Sequence, residues 1–246
     1  MAYWGLNTQT AVTQAGMGFG ASGGSPAHVY LGFGGVVAGD PIRFFVSDPV
    51  ASQGINTTTG YTVGKWHHAC GVSAAVNDRR VYIDGGSKGT GAANLATAWT
   101  MDLLAVGARY VSTAYSMYFD GAIADAAIWN VALTDAEVFR LSRGVSPLLI
   151  RRKSLVFYAP LLSGGAAVER DTVGKFHLSH SGAPTWVGHP PLKYPRLIRA
   201  ERHYPRGAAG GTAALTGTAT ASMTENDVVA GGKVITITLT GDTWVP

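Results

Sequence analysis

The stretch KWHHACGVSAAVNDRRVYIDGG, residues 65–86, decides the fold class of this chain. It contains two runs of strand-forming residues, which are separated by an Asn-Asp turn and closed by a second turn at Asp84-Gly85. Successive side chains of a strand point to opposite faces, so the first run places every second residue on one face. The residues that share this face are Trp66, His68, Cys70 and Val72. The pattern predicts a pair of antiparallel strands.

Further strands and one short helix follow in the sequence. The runs MDLLAVG (101–107) and YFDGAIADAAIWN (118–130) predict two more strands. Residues VALTDAEVFRLSRG predict a helix that begins after Thr134, because Glu137 stands three residues on and completes a capping box. Leu133 and Val138 occupy the hydrophobic-staple positions, and Gly144 follows the end of the helix.

In this order, the elements resemble those of laminin-G-like members of the concanavalin A-like lectin/glucanase superfamily. The resemblance depends on a Trp-His-His strand, a Tyr-x-Asp-Gly turn, a strand ending in glycine, a Phe-x-Gly-x-Ile strand and a helix start. The matching residues are Trp66, His67, His68, Tyr82, Asp84, Gly85, Gly107, Phe119, Gly121, Ile123, Trp129, Asn130, Leu133, Thr134 and Glu137. The resemblance implies an all-β fold, a two-sheet antiparallel jelly-roll sandwich with one short helix and a C-terminal β extension. This fold hosts lectins, enzymes, adhesins and structural modules, so it does not by itself fix the function.

The sequence divides into three parts. We expect residues 1–145 to form the laminin-G-like sandwich, and residues 1–60 fit Gly-rich strands and loops. Such domains usually have a further strand before residue 65, which is not evident here. The buried-strand pattern SLVFYAPLL (154–162) is therefore expected to complete the sandwich from within a basic connector, residues 146–206. Residues 207–246 are expected to form a Gly/Ala/Thr linker and a β-strand assembly segment that resembles a partial immunoglobulin-like module.

Composition and charge narrow the class of protein. The chain has 46% hydrophobic residues, 33 glycines and 14% charged residues, as expected of a globular all-β protein. No apolar run is long enough to span a bilayer, and the N-terminus lacks the features of a secretion signal. The single cysteine, Cys70, excludes an intrachain disulfide and is expected to be a buried thiol. Residues 143–206 carry 11 Lys/Arg against 3 Asp/Glu, so the basic character is concentrated in one segment.

This basic segment is interpreted mainly as a solvated or protein-binding surface, with contact to an acidic partner or to nucleic acid as less favoured alternatives. Its start includes Arg151 and Arg152, which we predict to bind a partner. The segment also resembles a connector that follows laminin-G-like domains in proteins of tailed bacteriophages and prophages. The resemblance rests on Gly144, Val145, Ser146, Pro147, Leu148, Leu149, Tyr158, Pro160, Leu161, Gly182, Ala183, Pro184, His189 and Pro190.

Near the C-terminus, a strand pattern predicts contact with another subunit. Ile235, Ile237 and Leu239 share one strand face and Val234 lies on the other, and these four residues are predicted to bind a partner together with Arg151 and Arg152. An isolated hairpin is marginally stable in water, whereas an edge strand can pair with a neighbouring chain. The segment is therefore expected to assemble with other virion proteins, including copies of this chain.

No catalytic pattern is evident, and metal binding stays an alternative. None of the four glutamates has the carboxylate partner spacing of a glucanase, so the chain is predicted to be non-enzymatic and without a cofactor. Calcium is the open alternative, with Asp84, Asp120 and Asp125 as oxygen donors near turns. The competing interpretation is that these aspartates bond their own turns. Histidines 177, 180 and 189 are expected to bond backbone groups rather than a metal.

Two functions remain open from the sequence. The first is a non-enzymatic virion protein of a phage, serving as a surface decoration, fibre or tail component and folding in the host cytoplasm before assembly. The alternative is a carbohydrate-binding adhesion module that recognises host surface glycans. Nucleic-acid and membrane binding are not expected.

Overall fold

The fold is built almost entirely from antiparallel strands. The structure, a computed structural model, describes residues 1–23, 25–95, 101–162, 168–174, 176–181, 185, 187–190 and 192. Six strands form one sheet, in the spatial order β13 (Leu155–Ala159), β12 (Gly121–Trp129), β1 (Ala2–Asn7), β6 (Trp66–Ala75), β7 (Asp78–Ile83) and β8 (Gly86–Gly91). Five form the other, in the order β5 (Ser52–Gly60), β4 (Pro41–Ser47), β3 (His28–Gly34), β2 (Thr13–Gly20) and β9 (Leu103–Val106). The predicted all-β sandwich is thereby confirmed.

Smaller elements complete the structure. Two hairpins are β10 (Arg109–Val111) with β11 (Ala114–Ser116), and β14 (Val168–Glu169) with β15 (Leu178–Ser179). Helix α1 spans Asp135–Ser142, and two 3-10 turns span Pro147–Leu149 and Arg152–Ser154. None of the helices in the described part of the chain is long and apolar enough to cross a membrane.

The hydrophobic core lies between the two sheets. It is formed mainly by the inward faces of β3 and β4 on one side and of β7 and β13 on the other. The largest fully buried side chains of this core include Tyr3, Met17, Leu31, Phe33 and Ile42. A second apolar cluster lies on the opposite face of the six-stranded sheet, where helix α1 covers it. The six-stranded sheet is therefore buried on both faces.

Both strands of residues 65–86 form as predicted, with Cys70 of β6 paired with Tyr82 of β7. Their second turn has positive φ at both Asp84 (51°) and Gly85 (75°), which is the geometry of a tight two-residue hairpin turn. Cys70 is fully buried, and burial raises the pKa of its thiol to about 11. The predicted buried thiol is confirmed.

Helix α1 also begins and ends as predicted. Thr134 accepts a hydrogen bond from the Glu137 amide, and the Glu137 carboxylate accepts one from the Thr134 amide at 2.8 Å. The staple residues Leu133 and Val138 are buried together, and Gly144 has φ +78° after the helix. The capping box and the exit glycine therefore fix this element from sequence alone.

The N-terminal strand that the sequence does not reveal is β1, which lies between β12 and β6 at the centre of its sheet. Residues 1–60 supply five strands, where the sequence predicted Gly-rich strands and loops without bounds and left one further strand unidentified. Strand β1 lacks a polar-apolar alternation because both of its faces are buried, so its period of two is hidden. The predicted strand in 154–162 is β13, which adds to the edge of the sheet beside β12.

Candidate functional site: a cleft beside strand β12

A cleft of about 790 Å³ lies beside β12. Its walls are residues 104–108 of β9 and the following turn, Tyr115, residues 118–124 at the start of β12, and parts of the segment 161–189. Ligand pockets in proteins usually have volumes of about 300–1,000 Å³. The size of this cleft therefore suits a small molecule or a short oligosaccharide.

Aromatic side chains line the cleft, and two of them are strongly exposed. Tyr118 is 67% exposed and Tyr115 is 49% exposed, while Trp66 is half-buried. Phe119 instead packs edge-on against Phe33 of the core, with ring centroids 5.3 Å apart. The cleft therefore presents two tyrosine rings to solvent and is anchored to the core by the neighbouring phenylalanine.

The hairpin β10–β11 holds Tyr115 in place. Its turn residues Ser112 and Thr113 both have positive φ, 48° and 73°, although neither is a glycine. Such backbone geometry is unfavourable for residues with a side chain and tends to concentrate at functional sites. The ring of Tyr110 meets Tyr115 edge-on, with centroids 4.9 Å apart. Tyr115 is therefore positioned by a strained turn and a neighbouring ring.

Polar side chains line the same cleft. The Asp120 carboxylate accepts a hydrogen bond from Gln9 Nε2 at 3.0 Å, and it remains exposed. Glu169 is buried, and its Oε1 accepts a bond from the Leu162 amide at 3.2 Å. His180 and Thr185 also line the cleft. The wall thus offers hydrogen-bonding groups next to aromatic rings.

The segment that closes the cleft is tied to β13 through Asp171. The Asp171 carboxylate accepts hydrogen bonds from the amides of Tyr158 (3.0 Å), Val173 (3.0 Å) and Phe176 (3.3 Å). Burial opposes ionisation of this carboxyl, but the bonds from backbone amides prevail and hold its pKa below the usual range. The ionised side chain therefore holds the loop before β15 in place, and this loop includes His177.

Two of the three histidines bond backbone groups, as predicted from sequence. His177 Nδ1 accepts a bond from the Asp171 amide at 3.2 Å, and His189 Nε2 lies 3.3 Å from the Pro160 carbonyl oxygen. All three, including His180, line the cleft. The sequence did not indicate that they lie together at one site.

The calcium candidates occupy three different environments. Asp84 accepts bonds from His67 Nδ1 (2.7 Å) and from the His68 amide (2.9 Å), and these bonds outweigh burial and lower its pKa. Asp120 lies in the cleft, whereas Asp125 is buried inside β12 and accepts a bond from the Tyr158 hydroxyl at 2.7 Å. Within the described ranges, no three His, Cys, Asp or Glu side chains form a group that can hold a metal ion. Calcium binding stays a prediction.

The predicted partner-binding residues lie outside the cleft. Arg151 Nε donates to Glu137 Oε1 at 2.6 Å and thereby joins the 3-10 turns to helix α1, while Arg152 is exposed. The remaining four predicted residues are Val234, Ile235, Ile237 and Leu239, which lie outside the described residues. Their role in partner binding stays a prediction.

Sequence reasoning missed the tyrosines of the cleft. Tyr115 occurs in a turn-rich segment, YVSTAYSMYFDG (110–121), outside the predicted strands, and Tyr118 is the first residue of the predicted strand 118–130. The position of Tyr115 outside any predicted element is the one signal in the sequence that could have pointed to an exposed ring.

Several solved structures resemble this fold. A proposed carbohydrate-binding protein from Bacteroides ovatus aligns with a TM-score of 0.54 and 16% sequence identity, over 78% of this chain and 54% of that protein. The CBM40 module of the Ruminococcus gnavus IT-sialidase, bound to α2,3-sialyllactose, aligns with a TM-score of 0.45 and 10% identity, over 57% of this chain and 80% of the module. A leech intramolecular trans-sialidase aligns with a TM-score of 0.46 and 16% identity, over 57% of this chain and 22% of the enzyme.

At these identities the first match shows similarity of fold, and this chain spans about half the length of the Bacteroides ovatus protein. None of the curated proteins matches the chain in sequence. The Laminin_G_3 family model, described as concanavalin A-like lectin/glucanases superfamily, matches residues 5–139, from within β1 into helix α1. The chain therefore belongs to this laminin-G-type family of the concanavalin A-like lectin/glucanase superfamily.

Proposed function

We propose that this protein is a carbohydrate-binding module that holds a saccharide in the cleft beside β12. The observation that carries the proposal is the exposed ring of Tyr118, 67% exposed in the cleft wall, with the half-exposed ring of Tyr115 in the same wall. A pyranose ring has an apolar face of C–H groups and a polar edge of hydroxyls. An aromatic ring matches the first, and hydrogen-bonding side chains match the second.

The polar groups of the cleft complement sugar hydroxyls. The exposed carboxylate of Asp120 can accept from two hydroxyls while its bond from Gln9 keeps it oriented. Thr185, Ser179 and Ser181 in the opposite segment can both donate and accept. A ligand that combines an apolar face with several hydroxyls therefore satisfies this cleft better than a purely apolar ligand.

The fold is compatible with this role. The superfamily contains both lectins and glucanases, and the carbohydrate-binding role proposed for the Bacteroides ovatus protein is a fold-level analogy. The argument for this chain therefore rests on Tyr118, Tyr115 and their polar neighbours.

The carboxylate side chains of the cleft favour binding without hydrolysis. Two carboxylates, Asp120 and Glu169, line the cleft. Glu169 is buried with one oxygen bonded to the Leu162 amide, and Asp120 is bonded to Gln9. Both carboxylates therefore have structural partners, which suits binding and scaffolding rather than proton transfer. Incubation with polysaccharides that bind should release no reducing ends; a rate abolished by Asp120→Asn or Glu169→Gln would overturn this part.

The binding itself is tested with one pair of variants. The protein is titrated with neutral and acidic oligosaccharides by calorimetry, and the best ligand is then used with Tyr118→Ala and Phe176→Ala. Phe176 is a matched control because it is 68% exposed but does not line the cleft. We expect Tyr118→Ala to weaken binding about five- to thirtyfold, since stacking on one ring is worth about 1–2 kcal/mol, and Phe176→Ala to leave it unchanged. Equal effects, or binding that survives Tyr118→Ala, would place the ligand elsewhere.

The predicted virion role concerns where such a module is displayed. It depends on the phage-like connector and on the C-terminal strand at 234–239, which lies outside the described residues. Display on a particle through other virion proteins or copies of this chain stays a prediction, independent of what the cleft binds.

A further inference from the structure

The outer face of the five-stranded sheet carries a compact group of rings and positive charges. We name it the aromatic–arginine face and define it as His28, Tyr30, Arg43, Phe45 and Arg109. The rings of Tyr30 and Phe45 stack with centroids 5.2 Å apart, and His28 stacks on Phe45 at 5.3 Å. These side chains point away from the core, because their neighbours in sequence point into it. Those inward neighbours include Leu31 and Phe44.

Glycines on both sides leave room for this group. Tyr30 pairs across the sheet with Gly18 on β2 and with Phe45 on β4, and Phe45 pairs with Gly54 on β5. A Cβ at Gly18 would lie 3.2 Å from the Ala108 carbonyl oxygen, so the hairpin β10–β11 lies directly over that position. A Cβ at Gly54 would overlap the guanidinium of Arg43. The two small residues therefore let Arg43 and the hairpin that carries Arg109 lie close to the sheet.

The two arginines have no acidic partners among the residues that the structure describes. Arg43 Cζ lies 5.6 Å from the centre of the Phe45 ring, and Arg109 donates from Nε and Nη2 to Ser116 Oγ at 3.2 and 3.1 Å. Neither arginine takes part in an ion pair within the described part of the chain. Both charges act on the Tyr30 phenol: burial raises its pKa, and Arg43 and Arg109 oppose that rise. A guanidinium has five N–H donors, so Arg109 retains donors for a ligand.

His28 adds an acceptor to this set of donors. Its Nδ1 lies 2.7 Å from the Pro26 carbonyl oxygen, and because a carbonyl can only accept, Nδ1 carries the proton. Burial lowers the pKa of the imidazole, and the nearby Arg109 charge lowers it further, so the ring is neutral at pH 7. Nε2 is then an acceptor. His28 is only 7% exposed, and Nε2 has no partner among the described residues.

We propose that the aromatic–arginine face binds an acidic sugar, with the carboxylate on Arg43 and Arg109 and a sugar hydroxyl donating to His28 Nε2. An ionised carboxylate or sulfate alone has no hydrogen to donate, whereas a neutral sugar leaves both guanidinium groups without an anion. A sugar acid supplies the anion and the hydroxyl on one ring. This inference rests on the proposed carbohydrate-binding function and names the class of saccharide.

The face and the cleft are separate sites that lie about two strands apart. Ala105 lines the cleft, Ala105 pairs with Gly18, and Gly18 pairs with Tyr30, which gives a distance of roughly 10 Å. The hairpin β10–β11 lies over Gly18 between them, so each site is tested with its own ligand.

The test observes the arginine side chains directly. The full chain, labelled with nitrogen-15, is titrated with glucuronate, N-acetylneuraminate, glucose, acetate and sulfate, and the Nε–Hε signals are followed. We expect at least one sugar acid to shift the Arg43 and Arg109 signals at concentrations where glucose and acetate do not. If no sugar acid shifts them, the inference is wrong, whatever the cleft binds. Equal shifts with acetate or sulfate would also overturn it, because they would show an adventitious ion only.

Variants separate this face from the cleft. Arg43→Gln and Arg109→Gln should each weaken sugar-acid binding at least tenfold, and Arg140→Gln, at an exposed position of helix α1, should leave it unchanged. His28→Phe keeps a ring but removes the hydrogen-bond acceptor. It should weaken binding of the sugar acid without creating affinity for acetate. Unchanged binding by the arginine variants would overturn the inference. Titration of the Tyr118→Ala variant with neutral oligosaccharides measures binding in the cleft alone. A failure of the proposed function is therefore seen separately from a failure of this inference.

Discussion

The outer faces of the two sheets are covered in different ways. Over the six-stranded sheet, helix α1 and the following turns bury an apolar cluster that includes Trp129, Val138 and Ile150. Over the five-stranded sheet, the described part of the chain places the hairpin β10–β11 and leaves a face of rings, arginines and one histidine. Apolar burial without polar groups serves stability, whereas unpaired charges next to rings cost stability and suit binding. The comparison predicts that the first face contributes more to the stability of the fold, and it is consistent with the proposal that the second face binds a ligand.

The largest expected effect is at the covered face. Trp129 is 7% exposed and donates from Nε1 to the Ile150 carbonyl oxygen at 2.8 Å. Trp129→Ala should lower the free energy of unfolding by about 3–5 kcal/mol, measured by urea denaturation. Trp66→Ala is the matched control, since Trp66 is half-buried at the cleft and should cost clearly less. Equal losses would mean that the covered face is not the more important one for stability.

The free energy of unfolding is also expected to depend on pH, by a similar amount, through a buried histidine of the six-stranded sheet. Burial lowers the pKa of His68 from 6.5 to about 4. The unfolded chain therefore binds more protons between these values, so stability is fully present above pH 6.5 and falls as the pH drops towards 4. The loss should reach about 3 kcal/mol. Urea unfolding at pH 7 and pH 4.5 measures it, and His68→Gln, which does not titrate, should flatten the dependence in this range.

A smaller effect is expected at the start of the helix that covers this face. Thr134→Ala removes the side-chain acceptor for the Glu137 amide and should lower the free energy of unfolding by about 1 kcal/mol. Thr134→Ser keeps the hydroxyl and should be close to the parent. If both variants behave alike, the hydroxyl does not stabilise the helix in this fold.

The smallest effect on stability is expected at the aromatic–arginine face. Arg43→Gln removes a half-buried charge that has no acidic partner among the described residues, and it should change the free energy of unfolding by less than about 0.5 kcal/mol. The same urea titrations measure this variant beside Trp129→Ala. A loss as large as that of a core residue would mean that Arg43 serves the fold, and the contrast between the two faces would fail.

The sequence by itself determined the elements whose signals are local. The turn at Asp84-Gly85 and the capping box of Thr134 and Glu137 are written in neighbouring residues, and both form as predicted. The buried state of Cys70 followed from its place in an apolar strand. These features depend on backbone geometry within a few residues, so no distant contact is needed to specify them.

The tertiary structure alone decided the central position of β1 and the composition of both candidate sites. Strand β1 is buried on both faces, so it lacks the alternation that reveals a strand. The cleft joins Tyr118 to His180, and the aromatic–arginine face joins His28 to Arg109, across 62 and 81 positions of sequence. Residues so far apart are brought together by strand order and by a hairpin folded over glycines. No local pattern encodes that arrangement, because it arises only when the sheets pack.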